Sequence, residues 1–313
     1  MRGTPLPTTA LAAVSVLATL SLSCPREDKP APGAASSSVA RRTADRRPPR
    51  ARLKTRTSTA PPRPTPGKEA SKRVLPQPVC AWNHAYEEDS HNDSIAAILA
   101  GARGCYVLID PFESAGAREA IPRIKAAGNV VGCYVSIGSC EKWRKDYRTT
   151  KPHCGPAYPG WEGETYVIDT AGILPAIKAR IDKMASWGCQ MVEFDNMDWA
   201  FHHNKKITVT PDEARRYNRA VCAHTRARKM MCMAKNTTDG AEDFDGLTVE
   251  SYTHDKNWWT ASHLHEILAA GKLGLIVHYK DESCAKARAS YRKIYGEKVS
   301  FLCSDKRRYR LRK

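Results

Sequence analysis

The sequence predicts an α/β domain folded as a (β/α)8 barrel over residues 79–303. Three observations predict it. Short β-branched apolar runs alternate with helical stretches, the pattern of parallel strands joined by helices. Eight such runs fit the ~250 residues of a typical barrel. Several of the runs end in an acid, and a barrel places its functional groups where strands meet the following loops. A doubly wound open sheet is the alternative, but no Gly-rich phosphate loop follows the first run.

The expected strands are 79–83, 105–110, 130–136, 191–195, 230–235, 246–250, 273–279 and 299–303. A further short run, 166–169, falls in the long connection after the third strand. Helices fill the intervals. Ile173, Ile177, Ile181 and Met184 recur at helical spacing. Thr210-Pro-Asp-Glu213 reads as a capping box with Pro at the first helical position. Gly128 and Gly271 suit helix C-termini. The stretch 102–110 is echoed by 186–195, each running helix end, Gly-Cys, apolar strand, Asp.

The chain before residue 79 has other work. Arg2, an apolar stretch over 10–20 and the small residues up to Cys24 read as a secretory signal over 1–24, too short for a stable span. Cys24 stands where a bacterial lipoprotein is cleaved and acylated, although Leu22 falls two rather than three positions before it. Lipid anchoring at Cys24 and plain secretion both stay open. Residues 25–78 hold 11 of the 20 prolines and almost no large apolar residues, so they are expected to be a disordered linker. A formal net charge of +17 points superficially to nucleic acid. However, 25–78 carry 14 Lys+Arg against 4 Asp+Glu, and 303–313 carry 6 against one. The charge is therefore in the linker and in a basic tail over 304–313, and the body is nearly neutral. Nucleic acid is not an expected partner. Ten cysteines remain after Cys24, an even number that suits disulfides in an exported chain. The preferred bridges are Cys140–Cys154 and Cys284–Cys303, while Cys105 and Cys133 read as buried thiols within strands.

Four strand ends deliver acids: Asp110, the cluster Glu193, Asp195 and Asp198 with Asn196, Glu250, and more distantly Asp169. A fifth end supplies Lys235 and Asn236. Two carboxylates facing each other across a pocket are what glycoside hydrolysis needs, one as nucleophile or base and one as proton donor. Acids at strand ends also cap helices and pair with Lys or Arg, which is the bland reading. A divalent ion held by Asp195, Asp198, His202 and His203 is disfavoured, because no helical or strand His spacing supports it. No metal or cofactor is expected. Aromatic residues fall at or just after strand ends: Trp82, Tyr134, Trp143, Trp161, Trp199, Tyr252, Trp258, Trp259 and Tyr279. Such rings line glycan grooves, although about half would serve equally as core or loop anchors.

Several stretches resemble a known family in its own order. They are residues 132–144 (Gly-Cys-Tyr-Val-Ser-Ile-Gly-Ser-Cys-Glu-Lys-Trp-Arg), 159–169 (Pro-Gly-Trp-Glu-Gly-Glu-Thr-Tyr-Val-Ile-Asp) and 192–198 (Val-Glu-Phe-Asp-Asn-Met-Asp). Tyr217-Asn-Arg219, Ala234-Lys-Asn236 and Val249-Glu-Ser-Tyr252 continue the match. Together they resemble the TIM-barrel domain of glycoside hydrolase family 114, the endo-α-1,4-polygalactosaminidases. The resemblance implies Asp195 as nucleophile or charge stabiliser and Glu250 as general acid/base. It implies Asp110, Tyr134, Lys235 and Asn236 as sugar-binding residues, and Asn196, Asp198, Tyr252 and Tyr279 join them as pocket candidates. Glu141, Trp143 and Arg144 look like a loop-ordering cluster. The implied substrate is an α-1,4-linked galactosamine polymer. The sequence departs from the family pattern at Cys80-Ala-Trp-Asn-His84, at His278 and around Glu250.

The expected function is therefore an exported, endo-acting glycoside hydrolase of an amino-sugar polysaccharide. Any contact with a membrane would be through a lipid at Cys24. The alternative is a non-catalytic glycan-binding envelope lipoprotein on the same barrel, which would bind without cleaving. An adhesin working through its basic tails ranks last.

Overall fold

The computed structural model describes residues 79–86, 93–201, 207–237, 243–251, 264–278 and 283–303, with the side chains of Ser251 and Cys303 excepted. The predicted signal segment, linker and basic tail lie outside these residues. Eight strands make one parallel sheet: β1 (Ala81–His84), β2 (Tyr106–Ile109), β3 (Val130–Ser136), β7 (Met191–Asp195), β8 (Met231–Lys235), β9 (Gly246–Ser251), β10 (Leu273–His278) and β11 (Ser300–Cys303). They neighbour one another in that order. The last strand comes back to the first, where the Val79 N–H donates to Ser300 Oγ at 2.9 Å. The result is a nearly closed (β/α) barrel, and the eight expected strands are its eight staves.

Helices lie between the strands: α1 (Ile95–Gly101), α2 (Ala115–Ala126), α3 (Tyr147–Thr150), α4 (Thr170–Trp187), α5 (Pro211–Ala227), α6 (Leu264–Ala269) and α7 (Cys284–Tyr295). The four spaced apolar residues of α4 are all buried, each worth about 1.5–3 kcal/mol against exposure. Thr210 and Glu213 make both bonds of the capping box at the start of α5. Gly128 (φ 80°) and Gly271 (φ 69°) follow α2 and α6 in the left-handed conformation that a glycine adopts without penalty.

Strand alternation sorts the side chains into two cores. On β7, Val192 and Phe194 face the helices, while Met191 faces the barrel interior. On β10, Ile276 faces outward, and Leu273, Leu275 and Val277 face inward. The same period points Glu193 and Asp195 of β7, Lys235 of β8 and Glu250 of β9 into the barrel.

Two expectations need correction. The connection after β3 holds three strands rather than one, β4 (Ser139–Glu141), β5 (Cys154–Ala157) and β6 (Glu164–Val167), paired antiparallel as β4-β6-β5. These strands are three or four residues long, too short to declare a period. Cys105 and Cys133 are not free thiols, because Cys80–Cys105 and Cys133–Cys189 are bridged. Parallel pairing of β1 with β2 sets Cys80 and Cys105 side by side, with Cα atoms 4.7 Å apart. Cys140–Cys154 forms as expected and ties β4 to β5, and Cys222–Cys232 joins α5 to β8. Cys284 is disulfide-bonded, while the Cys303 side chain lies outside the described residues. Four bridges within the described barrel fit an exported protein.

Candidate active site

Three adjacent strands supply the centre of the site. Asp195 ends β7, Lys235 ends β8, and Glu250 is the last but one residue of β9. Directly after β7 and β8 the chain turns at an asparagine in the left-handed region, Asn196 (φ 55°) and Asn236 (φ 59°). Asparagine tolerates this conformation better than most residues with a Cβ. The first turn brings the Asn196 N–H back onto Asp195 Oδ1 at 2.8 Å. The second lays the Asn236 side chain along Glu250, with Nδ2 donating to Oε2 at 3.0 Å and Oδ1 accepting the Glu250 N–H at 2.9 Å.

Lys235 stands between the two acids. Its Nζ is 3.1 Å from Asp195 Oδ1 and 3.3 Å from Glu250 Oε1, and the residue is only 3% exposed. Tyr134, from β3, donates its hydroxyl to Asp195 Oδ2 at 2.7 Å. Tyr86, just beyond β1, lays its ring 4.4 Å from Lys235 Nζ and donates its hydroxyl to Glu193 Oε1 at 2.8 Å. Burial, then the charge of Asp195, holds the Tyr134 phenol protonated well above its ordinary range. Burial, then Glu193 and Glu250, does the same to Tyr86. Both rings are therefore hydrogen-bond donors and both present a face to the ammonium.

The turn after β7 needs one particular glycine. A Cβ at Gly138 would run into the Asn196 carbonyl and the Trp199 ring. Gly138→Ala is therefore expected to displace the Asp195–Asn196 turn. The expected outcome is a loss of about 1–3 kcal/mol of stability together with lower activity, read by thermal melting and initial rates. An alanine variant that melts and turns over like the wild type would contradict this packing.

Of the sequence-derived candidates, Tyr134, Asp195, Asn196, Lys235, Asn236 and Glu250 come together. Asp110 is engaged elsewhere. Its Oδ1 accepts the Phe112 and Glu113 N–H groups, and its Oδ2 meets Arg144 at 2.7 Å. Arg144 in turn holds Glu141 by two hydrogen bonds of 2.7 and 2.8 Å, so the loop-ordering cluster includes Asp110. Asp169 caps α4 and pairs with His153, as the bland reading of strand-end acids expected. Asp198 lies half-buried in the turn after β7. Burial, then the charges of Asp198 and Asp195, pushes up the phenol of Tyr158, whose ring packs on Tyr166. Trp199 is a core anchor, fully buried with its Nε1 donating to the Val167 carbonyl. Tyr252, Tyr279, Trp258, Trp259, His202 and His203 lie outside the described residues.

Sequence reasoning missed Tyr86, Tyr158 and Thr248. Glu193 was visible only as one more acid in the cluster. Its period-two spacing from Asp195 was the available signal, because the two must share a face.

Residues 70–307 match the glycoside-hydrolase family GH114. The chain belongs to that family. It is a glycoside hydrolase. Among solved structures it is similar to Aspergillus fumigatus Ega3 in complex with galactosamine. There the TM-score is 0.61 at 18% identity, over 77% of this chain and 97% of the other. It is also similar to the glycoside hydrolase domain of PelA from Pseudomonas aeruginosa, with a TM-score of 0.52 at 13% identity over 72% of this chain and 92% of that one. At such identities the likeness shows the barrel and no more. No curated protein matches the chain. GH114 membership and the barrel agree with the resemblance read from the strand-end motifs.

Proposed function

We propose that this GH114 chain is an exported, endo-acting hydrolase of α-1,4-linked galactosamine-type polysaccharide, with Asp195 as nucleophile and Glu250 as general acid/base. The observation that carries the assignment is the single ammonium of Lys235 shared by the two carboxylates. Asp195 Oδ1 and Glu250 Oε1 lie on the same nitrogen, at 3.1 and 3.3 Å. A carboxylate nucleophile implies a retaining, double-displacement course. Glu250 gives its proton to the glycosidic oxygen as Asp195 attacks the anomeric carbon. Glu250 then takes a proton from the water that releases the sugar from Asp195. Tyr134 and Lys235 hold Asp195 in place throughout.

The substrate class is supported by charge as well as by the galactosamine bound to Ega3. Among the described residues, Glu193, Asp195 and Glu250 gather about the one ammonium of Lys235. A cationic amino sugar suits such a pocket. Residues 1–24 would export the chain, with or without a lipid on Cys24, and residues 25–78 would tether the barrel.

The turn between β5 and β6 carries Trp161, 47% exposed and the one exposed large hydrophobic among the described residues. It follows Tyr158, whose backbone carbonyl accepts the Trp161 N–H. Trp161 would stack on a sugar unit beyond the cleaved bond. Trp161→Ala is expected to raise KM several-fold for long polymer and to leave kcat on short oligomers little changed. Equal KM values for wild type and variant on long polymer would remove Trp161 from the groove.

The deciding experiment is mass-spectrometric product analysis of acetylated and deacetylated galactosamine polymers, incubated with the full chain and with Glu250→Gln. Oligosaccharides released by the wild type alone support the proposal, and their masses report the acetylation requirement. Polymer bound but uncut by the wild type would overturn it in favour of glycan binding.

A further inference from the structure

Glu193 lies in the barrel one inward position before Asp195 on β7 and is fully buried. Both of its oxygens receive a hydroxyl: Tyr86 at 2.8 Å on Oε1 and Thr248 Oγ1 at 2.6 Å on Oε2. Thr248 is the inward residue immediately before Glu250 on β9, so Glu193 ties the two strands that carry the reacting acids. The Tyr86 ring that Glu193 anchors is the ring beneath Lys235 Nζ. A carboxyl this deep is costly unless it is hydrogen-bonded and compensated, and here it has two short hydrogen bonds and a buried ammonium nearby.

We propose that Glu193 is a positioning residue for the Asp195–Glu250 pair, an anion one layer beneath them that seats Lys235 through Tyr86 and draws part of its charge away from the pair. The inference rests on the catalytic reading of that pair given above. Among the described residues, the charged and titratable groups that act on Glu193 include Lys235, Asp195, Tyr86 and Tyr106. Burial raises its pKa, Lys235 and the Thr248 and Tyr86 hydrogen bonds oppose that rise, and Asp195 adds to it.

The consequence has a sign. With Glu193 ionised, the charge of Lys235 acts on three carboxylates rather than two. Glu193→Gln removes the charge at nearly constant shape. The basic limb of kcat/KM against pH should then move down by about one unit, because the undivided lysine favours the ionised acid. The plateau rate should change far less than the limb position implies. A purely structural role would lower rate or melting temperature at every pH and leave the limb where it was.

Carboxyl-carbon NMR titration of the Asp195/Glu250 pair, with and without Glu193→Gln, reads the same shift without substrate. If no polymer is cut by the wild type, the proposed function fails and this titration still decides the role of Glu193. Should Glu193→Gln fail to fold, Thr248→Val keeps the carboxyl but withdraws its shortest hydrogen bond. Glu193 then takes up a proton more readily, and the limb moves in the same direction by less. An unmoved limb and an unmoved titration in a folded variant would overturn the proposal.

Discussion

Glu250→Gln and Asp195→Asn are each expected to lower polymer cleavage by about 10³-fold or more, with the barrel intact and glycan still bound. The amide variants keep the size of each side chain and can still accept a hydrogen bond from Lys235. They lose the ability to carry a proton to the glycosidic oxygen or to form the glycosyl ester. General acid–base transfer alone is worth about 10²–10⁴ in rate, and removing the nucleophile forces a different route. Initial rates on defined oligomers, with melting curves and binding isotherms on the same samples, make the check. A variant within about tenfold of wild type would show that its residue is not one of the pair. The two can also be told apart. A substrate with an activated leaving group needs little protonation, so it should rescue the first glycosyl transfer in Glu250→Gln and not in Asp195→Asn.

Lys235→Met is expected to be the most destabilising single change at the site, at about 3–5 kcal/mol, because it leaves buried carboxylates without their cation. It should also move both limbs of the pH–rate profile upward. Without the ammonium, Asp195 and Glu250 repel each other, and one of them keeps a proton to higher pH. That is opposite in sign to the change expected for Glu193→Gln, so the pair of variants separates charge from packing. Calorimetric melting and a pH–kcat series would read both effects. A Lys235→Met enzyme with wild-type melting and wild-type pH limits would mean that the lysine does not organise the acids.

Much of this site was legible because it is built on regular strands. Asp195, Lys235 and Glu250 sit at strand ends, where a barrel carries its functional groups, and the sequence places them there. The capping box at Thr210 and the buried stripe of α4 were legible for the same reason, since each is a short-range pattern with a mechanical meaning. The small sheet after β3 was not, because its strands are too short for a period. The bridge between Cys80 and Cys105 was not, because it follows from the register of β1 on β2. Asp110 shows the same limit from the other side. As an acid at a strand end it resembles Asp195, and only the arrival of Arg144 from a separate loop separates their surroundings.

The sequence by itself determined the order of the eight barrel strands with their intervening helices, the acids at their ends and the family to which the motifs point, because these depend on spacing within a few residues. Tertiary structure alone decided which acids share a cation. Lys235 meets Asp195 and Glu250, Glu193 is answered by Tyr86 from the far side of the barrel, and Asp110 is held by Arg144. Those choices are made at about 3 Å between side chains from separate strands and loops. Charge pairing at that range is set by how the barrel closes and not by any local pattern along the chain.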